Sequence, residues 1–405
     1  MSLRQLETIC PPAVTLATPP QVRPEPTPTL SVAIYMHDLS PGGVERQCLV
    51  LAHALKAHGA KVTLVLHERK GELEPLLPDG LTVVDLRGSR TLHDIGRLRR
   101  FLLERQPDIL MANVDYNNVA ASLATIMAGT RTRLVICQHN PLTPTYYAVV
   151  SWKYRFIPLL YRLLAFRIDR AVAVSDGIAA ELVSRAGVPP RKIVTISNAV
   201  IGDDFNARAG MQALHPWFRS GAPPVFVSAG RLVEMKDHRL LIQGFAQFRK
   251  NRPGRLMILG LGPLREELEQ LAVTLGVADD VAFLGFVQNP LPYMRQAAAF
   301  VLCSRAEGFG NVLVEAMGCG TPVISTDCPH GPAEILSNGR YGILVRQRDP
   351  AVLAKAMAQI LDRRALWPAT LLKARAAAFS VAACAENYWQ LFQELAGPAP
   401  EHSAE

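Results

Sequence analysis

Short apolar segments alternate with helical patterns along this chain, and this alternation constrains the possible fold more than any other feature. The apolar run 30–35 is followed by a glycine-containing loop, a helical pattern over 44–58 and a second apolar run at 62–66. This order is typical of the β-loop-α-β unit of a parallel sheet. The strand segments are rich in Val, Ile and Leu instead of alternating with polar residues, which indicates a sheet covered on both faces.

A stretch without a clear period divides the alternation into two series. Residues 202–224 contain six Gly and Pro residues, and the alternation restarts at Val225. A chain of 405 residues is also too long for one ordinary core. The sequence therefore predicts an α/β protein of two doubly wound, Rossmann-like domains with a hinge near residue 200. Ligand loops at the carboxyl ends of the strands would then face a shared cleft.

The same pattern sets the predicted boundaries. Residues 1–29 contain seven prolines and are predicted to form a disordered or extended tail. An N-terminal Rossmann-like domain is predicted at 30–200 and a C-terminal Rossmann-like domain at 201–380. Residues 381–405 are predicted to form a helix that crosses back to the first domain, followed by a tail.

Composition narrows the possible partners. The net charge of +8 favours anionic ligands such as phosphorylated compounds or acidic lipid headgroups. Nucleic acid would match the charge, but no nucleic-acid-binding motif accompanies it, so we predict no nucleic-acid partner. The seven scattered cysteines form no Cys-x-x-Cys pair, which favours buried thiols in a reducing cytoplasm. Neither a secretory signal nor a bilayer-length apolar run is visible, and we expect a cytoplasmic protein.

The most informative loop follows the apolar run that ends at Cys303. Gly308 and Gly310 flank a turn into a helix, so free backbone N–H groups from Phe309 to Val312 would point at the cleft and bind an anion. Glu307 before the turn and Glu315 in the second helical turn would then address different parts of one ligand, such as ribose hydroxyls beside a phosphate. The alternative is that both carboxylates are ordinary surface charges.

Other strand-to-helix loops carry weaker signals. Arg231 and Lys236 follow Gly230 and could grip two phosphates, or form ordinary surface ion pairs. Gly43, in the loop 41–45, allows close approach of backbone to a ligand, and a tight turn explains it equally well. The turn 260–264, with Gly262, has the same two interpretations.

A histidine follows another predicted strand of the first half. His139 lies at the carboxyl end of the apolar run 134–137, where it is either a structural residue or a hydrogen-bonding partner of a substrate. No Asp-x-Asp or His-Glu-x-x-His arrangement points to a metal site.

Taken together, these residues resemble the group-1, or family-4, glycosyltransferases of GT-B fold over about residues 30–395. The motifs that carry the resemblance are Gly42-Gly43-Val44-Glu45, Gly230-Arg231-Leu232 with Lys236, Gly260-Leu261-Gly262-Pro263, Phe283-Leu284-Gly285, and Glu307 with Glu315. The run 325–336 is similar to bacterial hexosamine transferases that extend lipid-linked glycans. The chain departs from many relatives at 197–200, where it reads Ser-Asn-Ala-Val.

The resemblance implies a hexosyltransferase that retains anomeric configuration and uses a nucleotide-diphosphate sugar, with a UDP-sugar favoured, and no metal or other cofactor. It implies that Arg231 and Lys236 bind the donor diphosphate and that Glu315 binds the ribose. Glu307 and His139 would lie near the transferred sugar. Donor contacts are also expected from the backbone of the glycine-containing loops, at Gly43, Gly230, Gly262, Phe309, Gly310, Asn311 and Val312. The domain 30–200 would bind the acceptor, which is expected to be a lipid-linked or other glycan, and the domain 201–380 would bind the donor.

Residues 151–170, SWKYRFIPLLYRLLAFRIDR, interleave five cations with aromatic residues. The segment is either an interfacial segment on the anionic inner face of a membrane or a helix packed on the first sheet with its arginines reaching solvent. Two functions outside glycosyl transfer also fit the nucleotide-binding loops: a GT-B-fold nucleotide-sugar epimerase and a non-catalytic nucleotide-sugar-binding protein.

Overall fold

A computed structural model describes residues 29–40, 42–88, 91–143, 146 and 152–397. The predicted N-terminal tail therefore lies outside the described residues except for Thr29, as do Pro41, Ser151 and residues 398–405.

The first sheet contains seven parallel strands among the described residues, in the order β3-β2-β1-β4-β5-β6-β7. They are β1 (Ser31–Met36), β2 (Lys61–Leu66), β3 (Thr82–Asp85), β4 (Ile109–Asn113), β5 (Arg133–Gln138), β6 (Arg170–Ala173) and β7 (Ile193–Thr195). The helices of this half are α1 (Gly43–Ala57), α2 (Thr91–Arg105), α3 (Asp115–Ala128), α4 (Ile157–Leu164) and α5 (Asp176–Ser184).

The second sheet contains six parallel strands within the described ranges, in the order β10-β9-β8-β11-β12-β13. They are β8 (Val225–Ala229), β9 (Arg255–Leu259), β10 (Val281–Gly285), β11 (Ala299–Leu302), β12 (Val323–Thr326) and β13 (Ile343–Val345). The remaining helices are α6 (Phe205–Gly210), α7 (His238–Arg249), α8 (Arg265–Thr274), α9 (Leu291–Gln296), α10 (Asn311–Gly318), α11 (Pro332–Ile335), α12 (Pro350–Asp362), α13 (Ala369–Ala377) and α14 (Val381–Ala396).

The predicted class of two doubly wound parallel sheets is confirmed. In both sheets the strand order reverses beside the first strand, between β1 and β4 and between β8 and β11. Strands β4 and β8 are buried along their whole length, as expected for strands covered by helices on both faces. The carboxyl ends at such reversal points are where doubly wound sheets bind ligands.

The last helix returns to the first sheet. Tyr388, Leu391 and Phe392 of α14 are buried, and Tyr388 Oη lies 3.6 Å from Cys137 Sγ at the end of β5. We call the first sheet with its helices and α14 the first lobe, and residues 201–380 the second lobe. No helix in the described ranges is both long and apolar enough to cross a membrane. The six described cysteines are buried and unpaired, as predicted.

Candidate active site between the lobes

Loops at the carboxyl ends of the two sheets meet, and we call the region where they meet the crevice. Asn198 Nδ2 of the first lobe donates a hydrogen bond to Asn311 Oδ1 of the second, at 2.9 Å. Ser175 Oγ donates to the carbonyl oxygen of Gly308, also at 2.9 Å. A side chain on Gly308 would overlap the carbonyl oxygen of His139. The loops that the sequence singled out in the two halves are therefore in direct contact.

Two helices begin at this crevice with their positive ends close together. Helix α1 begins at Gly43, and a Cβ added there would lie 3.9 Å from Nδ2 of Asn311, the first residue of α10. Gly310, in the left-handed region with φ 106°, turns the chain into α10. Within the described ranges, the N–H groups of Asn311 and Val312 have no protein acceptor. Free N–H groups and the helix dipoles therefore favour an anion here.

Two cations border the same space. Lys236 ends the 3₁₀ turn Glu234–Lys236, and its Nζ donates to Glu307 Oε1 at 2.5 Å. Ser304 Oγ donates to the same oxygen at 2.5 Å. Arg231 is exposed and forms no ion pair within the described part of the chain. Burial raises the pKa of Glu45 in the first lobe, and the charge of Arg231 in the second lobe acts to lower it.

His139 directly follows β5 and is 9% exposed. Its Nε2 lies 3.2 Å from Asn113 Oδ1, while Asn113 Nδ2 donates to the carbonyl oxygen of Tyr35 at 3.4 Å. Since the Asn113 oxygen must accept, the His139 proton belongs on Nε2. Nδ1 is buried without a partner among the described residues and is left as an acceptor. Burial lowers the pKa of His139 to about 4, so the imidazole is neutral at neutral pH.

A buried carboxylate that sequence reasoning missed supports the His139 loop. Asp115 accepts from Gln138 Nε2 at 2.8 Å and from Asn140 Nδ2 at 3.3 Å, and Gln138 Nε2 also donates to the Asn140 carbonyl at 2.7 Å. Burial raises the pKa of Asp115 to about 6 although these hydrogen bonds oppose the rise. Val114 before it has φ 74°, which is strained for a β-branched residue. The polar residues at the end of β4 were the sequence signal from which Asp115 could have been identified.

The other predicted donor residues divide into two groups. Glu315 lies in α10, where burial raises its pKa and the charges of Arg208 and Arg46 oppose the rise. Sequence reasoning missed these two arginines. Phe309, by contrast, is 2% exposed and packs edge-on against Phe379 with centroids 5.4 Å apart. Its side chain therefore belongs to the core, and only its backbone is available to a ligand.

The glycines of the turns after β8 and β9 serve the packing of one turn on the other. A Cβ on Gly262 would overlap the carbonyl oxygen of Leu232, and one on Gly260 would overlap that of Gly230. Leu232 N donates to the Leu261 carbonyl at 2.8 Å, which fixes the two turns together. These turns thus form one rigid unit beside Arg231.

Two family models match this chain, one in each lobe. Residues 41–201 match a family model described as Glycosyltransferase Family 4, and residues 223–363 match one described as Glycosyl transferases group 1. Together the two matches include the crevice loops of both lobes.

Two relatives come from Campylobacter jejuni. The N-acetylgalactosamine-N,N'-diacetylbacillosaminyl-diphospho-undecaprenol 4-alpha-N-acetylgalactosaminyltransferase is 32% identical over 63% of this chain and 67% of its own length. The GalNAc-alpha-(1→4)-GalNAc-alpha-(1→3)-diNAcBac-PP-undecaprenol alpha-1,4-N-acetyl-D-galactosaminyltransferase is 26% identical over 82% of this chain and 89% of its own length. The crystal structure of Anabaena HepE in complex with UDP superposes with a TM-score of 0.73 at 21% identity, covering 90% of this chain and 99% of HepE. That likeness shows a shared fold.

Proposed function

Because this chain belongs to the group 1 glycosyltransferases, we propose that it transfers a hexose or N-acetylhexosamine from a nucleotide-diphosphate sugar to a glycan acceptor, with retention of configuration. Family membership makes the protein a transferase, which sets aside the epimerase and the non-catalytic binder as alternatives. The favoured donor is a UDP-sugar, in line with the UDP bound to a protein of the same fold.

The approach of Gly43 to Asn311 is the observation that carries this proposal. It brings the positive ends of α1 and α10 to one crevice, beside Arg231 and Lys236. A diphosphate is the ligand group that this arrangement stabilises best, because it offers charge to the cations and acceptor oxygens to the free N–H groups.

The same groups would lower the barrier to transfer. As the bond between the anomeric carbon and the diphosphate oxygen breaks, negative charge grows on the leaving oxygen, and the fixed donors and cations stabilise it. The acceptor hydroxyl attacks the anomeric carbon from the same face. Its proton passes to the leaving phosphate oxygen as the new glycosidic bond forms, so no protein nucleophile is required.

The carboxylates and the histidine would orient the sugar nucleotide. Glu307 is held by Lys236 and Ser304, which suits a fixed hydrogen-bond acceptor for sugar hydroxyls better than a free nucleophile. His139 would accept a sugar hydroxyl at Nδ1, the nitrogen left without a protein partner. Glu315, in the second turn of α10, would bind the ribose hydroxyls.

We also propose that the acceptor is a lipid-linked glycan. Both Campylobacter relatives carry undecaprenol-linked glycans in their names. Such an acceptor is held in a membrane, and the enzyme would meet it at the cytoplasmic face through the segment 151–170.

That segment buries one face and exposes an apolar stripe on the other. The buried residues of α4 are Ile157, Tyr161 and Leu164. The exposed apolar residues are spaced three or four positions apart and have exposed fractions of 45–73%: Phe156, Leu159, Leu163 and Phe166. Lys153, Arg155, Arg162 and Arg167 accompany them in the sequence. An apolar stripe among basic residues suits an anionic bilayer surface.

The donor is tested first with the purified protein and a panel of nucleotide sugars. A true donor raises the melting temperature, because a ligand that binds only the folded state stabilises it. The selected donor is then incubated with a polyprenyl-diphosphate-linked glycan, and NMR of the product reports the anomeric configuration. Inversion of configuration, or transfer without a nucleotide sugar, contradicts the proposed mechanism.

Membrane attachment is tested by flotation with vesicles that contain phosphatidylglycerol. The wild type is expected to float at low salt, and the pair of changes Leu163→Gln and Phe166→Gln is expected to abolish flotation. Leu214→Gln is the matched control, because Leu214 is an 81% exposed apolar residue outside this segment. Wild-type protein that stays at the bottom of the gradient rules the surface out.

A further inference from the structure

A further contact between the lobes reaches the His139 loop at Leu142. Glu181 of α5 is 7% exposed, and its Oε2 accepts a hydrogen bond from the backbone N–H of Leu142 at 2.6 Å. Leu142 is three residues after His139 on the same loop and is 1% exposed. Glu181 therefore fixes the far end of the loop that carries His139.

The same carboxylate oxygen meets the second lobe. His330, on the loop after β12, places Nε2 3.2 Å from Glu181 Oε2. Its ring lies directly on the backbone of Gly177, where an added Cβ would be 2.8 Å from the His330 Cγ. Glu334 makes a neighbouring contact, since its Oε2 accepts from Asp176 N at 3.0 Å. The start of α5 is thus a docking surface for the loop 329–334.

His330 itself is held in a strained conformation. Its φ of 68° lies in the left-handed region, which costs a residue with a Cβ of the order of 1 kcal/mol. Such strain persists only where surrounding contacts maintain it, and it is concentrated at functional sites. Here those contacts come from the other lobe.

The loop that carries His330 also contacts the predicted donor site. Glu307 N donates to the carbonyl oxygen of Pro329 at 3.5 Å. A Cβ on Gly331 would lie 2.4 Å or nearer to backbone atoms of Phe309, so the turn 307–309 and the loop 329–331 pack backbone on backbone. A continuous set of contacts therefore runs from Glu307 through His330 and Glu181 to the His139 loop.

The pKa of Glu181 agrees with this geometry. Burial acts to raise it, but the contact with His330, the hydrogen bond from Leu142 N–H and the charge of Arg185 together outweigh burial and lower it. The carboxylate is therefore ionised at neutral pH and is held by partners from both lobes.

We propose that Glu181 is a positioning residue for glycosyl transfer, which couples docking of the second lobe, through His330, to placement of the His139 loop, through Leu142 N–H. Glu181 does not need to touch substrate. The proposal rests on the proposed function insofar as it assigns His139 to the transferred sugar.

Hydrogen–deuterium exchange of the Leu142 amide tests the coupling without any substrate. Glu181→Ala removes its acceptor and should raise exchange in the peptide spanning 139–143. His330→Ala lies in the other lobe, and we expect it to raise exchange of the same amide. Glu181→Gln keeps an oxygen that can accept from Leu142 N–H and should restore protection. Arg185→Ala is the matched control, because it removes only the partner of the other oxygen, Oε1, at 3.2 Å.

Kinetics give a second, independent measurement. Misplacing a residue that orients the substrate by about 1 Å costs about 100-fold in rate, so Glu181→Ala should lower kcat by up to about 100-fold. The Kd for UDP should stay within about threefold, because the residues that bind the nucleotide are not changed. In a His139→Ala background the same change should cost less than about threefold, since the residue it positions is already gone.

The outcomes separate the two proposals. The positioning role is overturned if exchange of the Leu142 amide is unchanged in folded His330→Ala. It is also overturned if the rate losses of Glu181→Ala and His139→Ala multiply in the double variant. A wild type that transfers no sugar overturns the proposed function instead, and the exchange experiment still decides the coupling. Melting temperatures show whether Glu181→Ala is folded. If it is not, His330→Ala and Glu181→Gln carry the test.

Discussion

Replacing Gly308 by alanine probes the contact between the donor turn and the His139 loop. The added Cβ would overlap the His139 carbonyl oxygen and lie 2.8 Å from its carbon, whereas carbon atoms in contact prefer about 3.5–4.0 Å. Ser175 Oγ holds the Gly308 carbonyl at 2.9 Å, so the turn has little room to move aside. The two loops must therefore separate by about 1 Å, a displacement that costs about 100-fold in rate when it misplaces a reacting group.

The assay is initial-rate transfer from the best nucleotide sugar, with UDP affinity measured separately by calorimetry. We expect a loss of about 100-fold in kcat for Gly308→Ala and a melting temperature close to that of the wild type, because no core side chain changes. Gly96→Ala is the matched control: it lies in α2, an added Cβ meets nothing within 4 Å, and alanine should stabilise the helix by about 0.5–1 kcal/mol. A Gly308→Ala enzyme with more than about a third of wild-type kcat would refute the inference that this contact sets the geometry.

Three further experiments test the remaining assignments. Gly43→Ala fits the unliganded protein, because its Cβ would be 3.9 Å from Asn311 Nδ2. We therefore expect an unchanged melting temperature but weaker UDP binding by calorimetry. An affinity equal to that of the wild type argues against phosphate contact at Gly43. Arg231→Ala or Lys236→Ala should each cost about 2–4 kcal/mol of transition-state stabilisation, measured as kcat/KM, and undiminished turnover contradicts the phosphate role. Because the pKa of His139 is lowered to about 4, its contribution to stability is present above pH 6.5 and is lost as the pH falls from 6.5 to 4. The melting temperature of the wild type should therefore drop toward that of His139→Asn across this range, and parallel curves would show that His139 is not buried neutral.

Local sequence pattern predicts what lies on a single strand-loop-helix unit. Arg231, Glu307 and Asn311 follow buried parallel strands, and the carboxyl ends of such strands meet at one edge, so their placement beside the crevice needs no long-range information. The short strand β13 was missed because three residues give too little periodicity to detect. Helix α6 was also missed, because it is short and lies inside the stretch predicted as a linker.

Contacts between distant segments cannot be predicted in this way. Glu181 reads as one acidic residue on an amphipathic helix, and nothing near it in sequence indicates that Leu142 or His330 lies against it. Asp115 similarly acquires its partners only when β4 and β5 pair. Both residues depend on the tertiary arrangement, which a pattern of local periods does not specify.

The segment 151–170 shows a further limit of sequence pattern. Its sequence favoured an interfacial segment and a packed helix equally, and the structure shows a helix with one packed face and an exposed apolar stripe. The face with Tyr161 packs on the first lobe, while the face with Leu163 is exposed. Periodicity detects an apolar stripe, but it does not tell which apolar face of a helix is buried and which is exposed.

The charge around the crevice predicts that donor binding and contact between the lobes depend on each other. The start of each facing helix, at Gly43 and at Asn311, carries roughly half a positive charge, and Arg231 and Lys236 add full charges that Glu307 and Glu45 partly offset. Bringing these like charges together is unfavourable in the absence of an anion. A diphosphate between them reverses the sign of the interaction, so the donor itself would stabilise the arrangement in which His330 reaches Glu181 and the His139 loop is fixed. Sugar transfer and contact between the lobes would then depend on the same diphosphate. Its negative charge attracts both lobes, and that charge grows as the bond between the anomeric carbon and the diphosphate oxygen breaks.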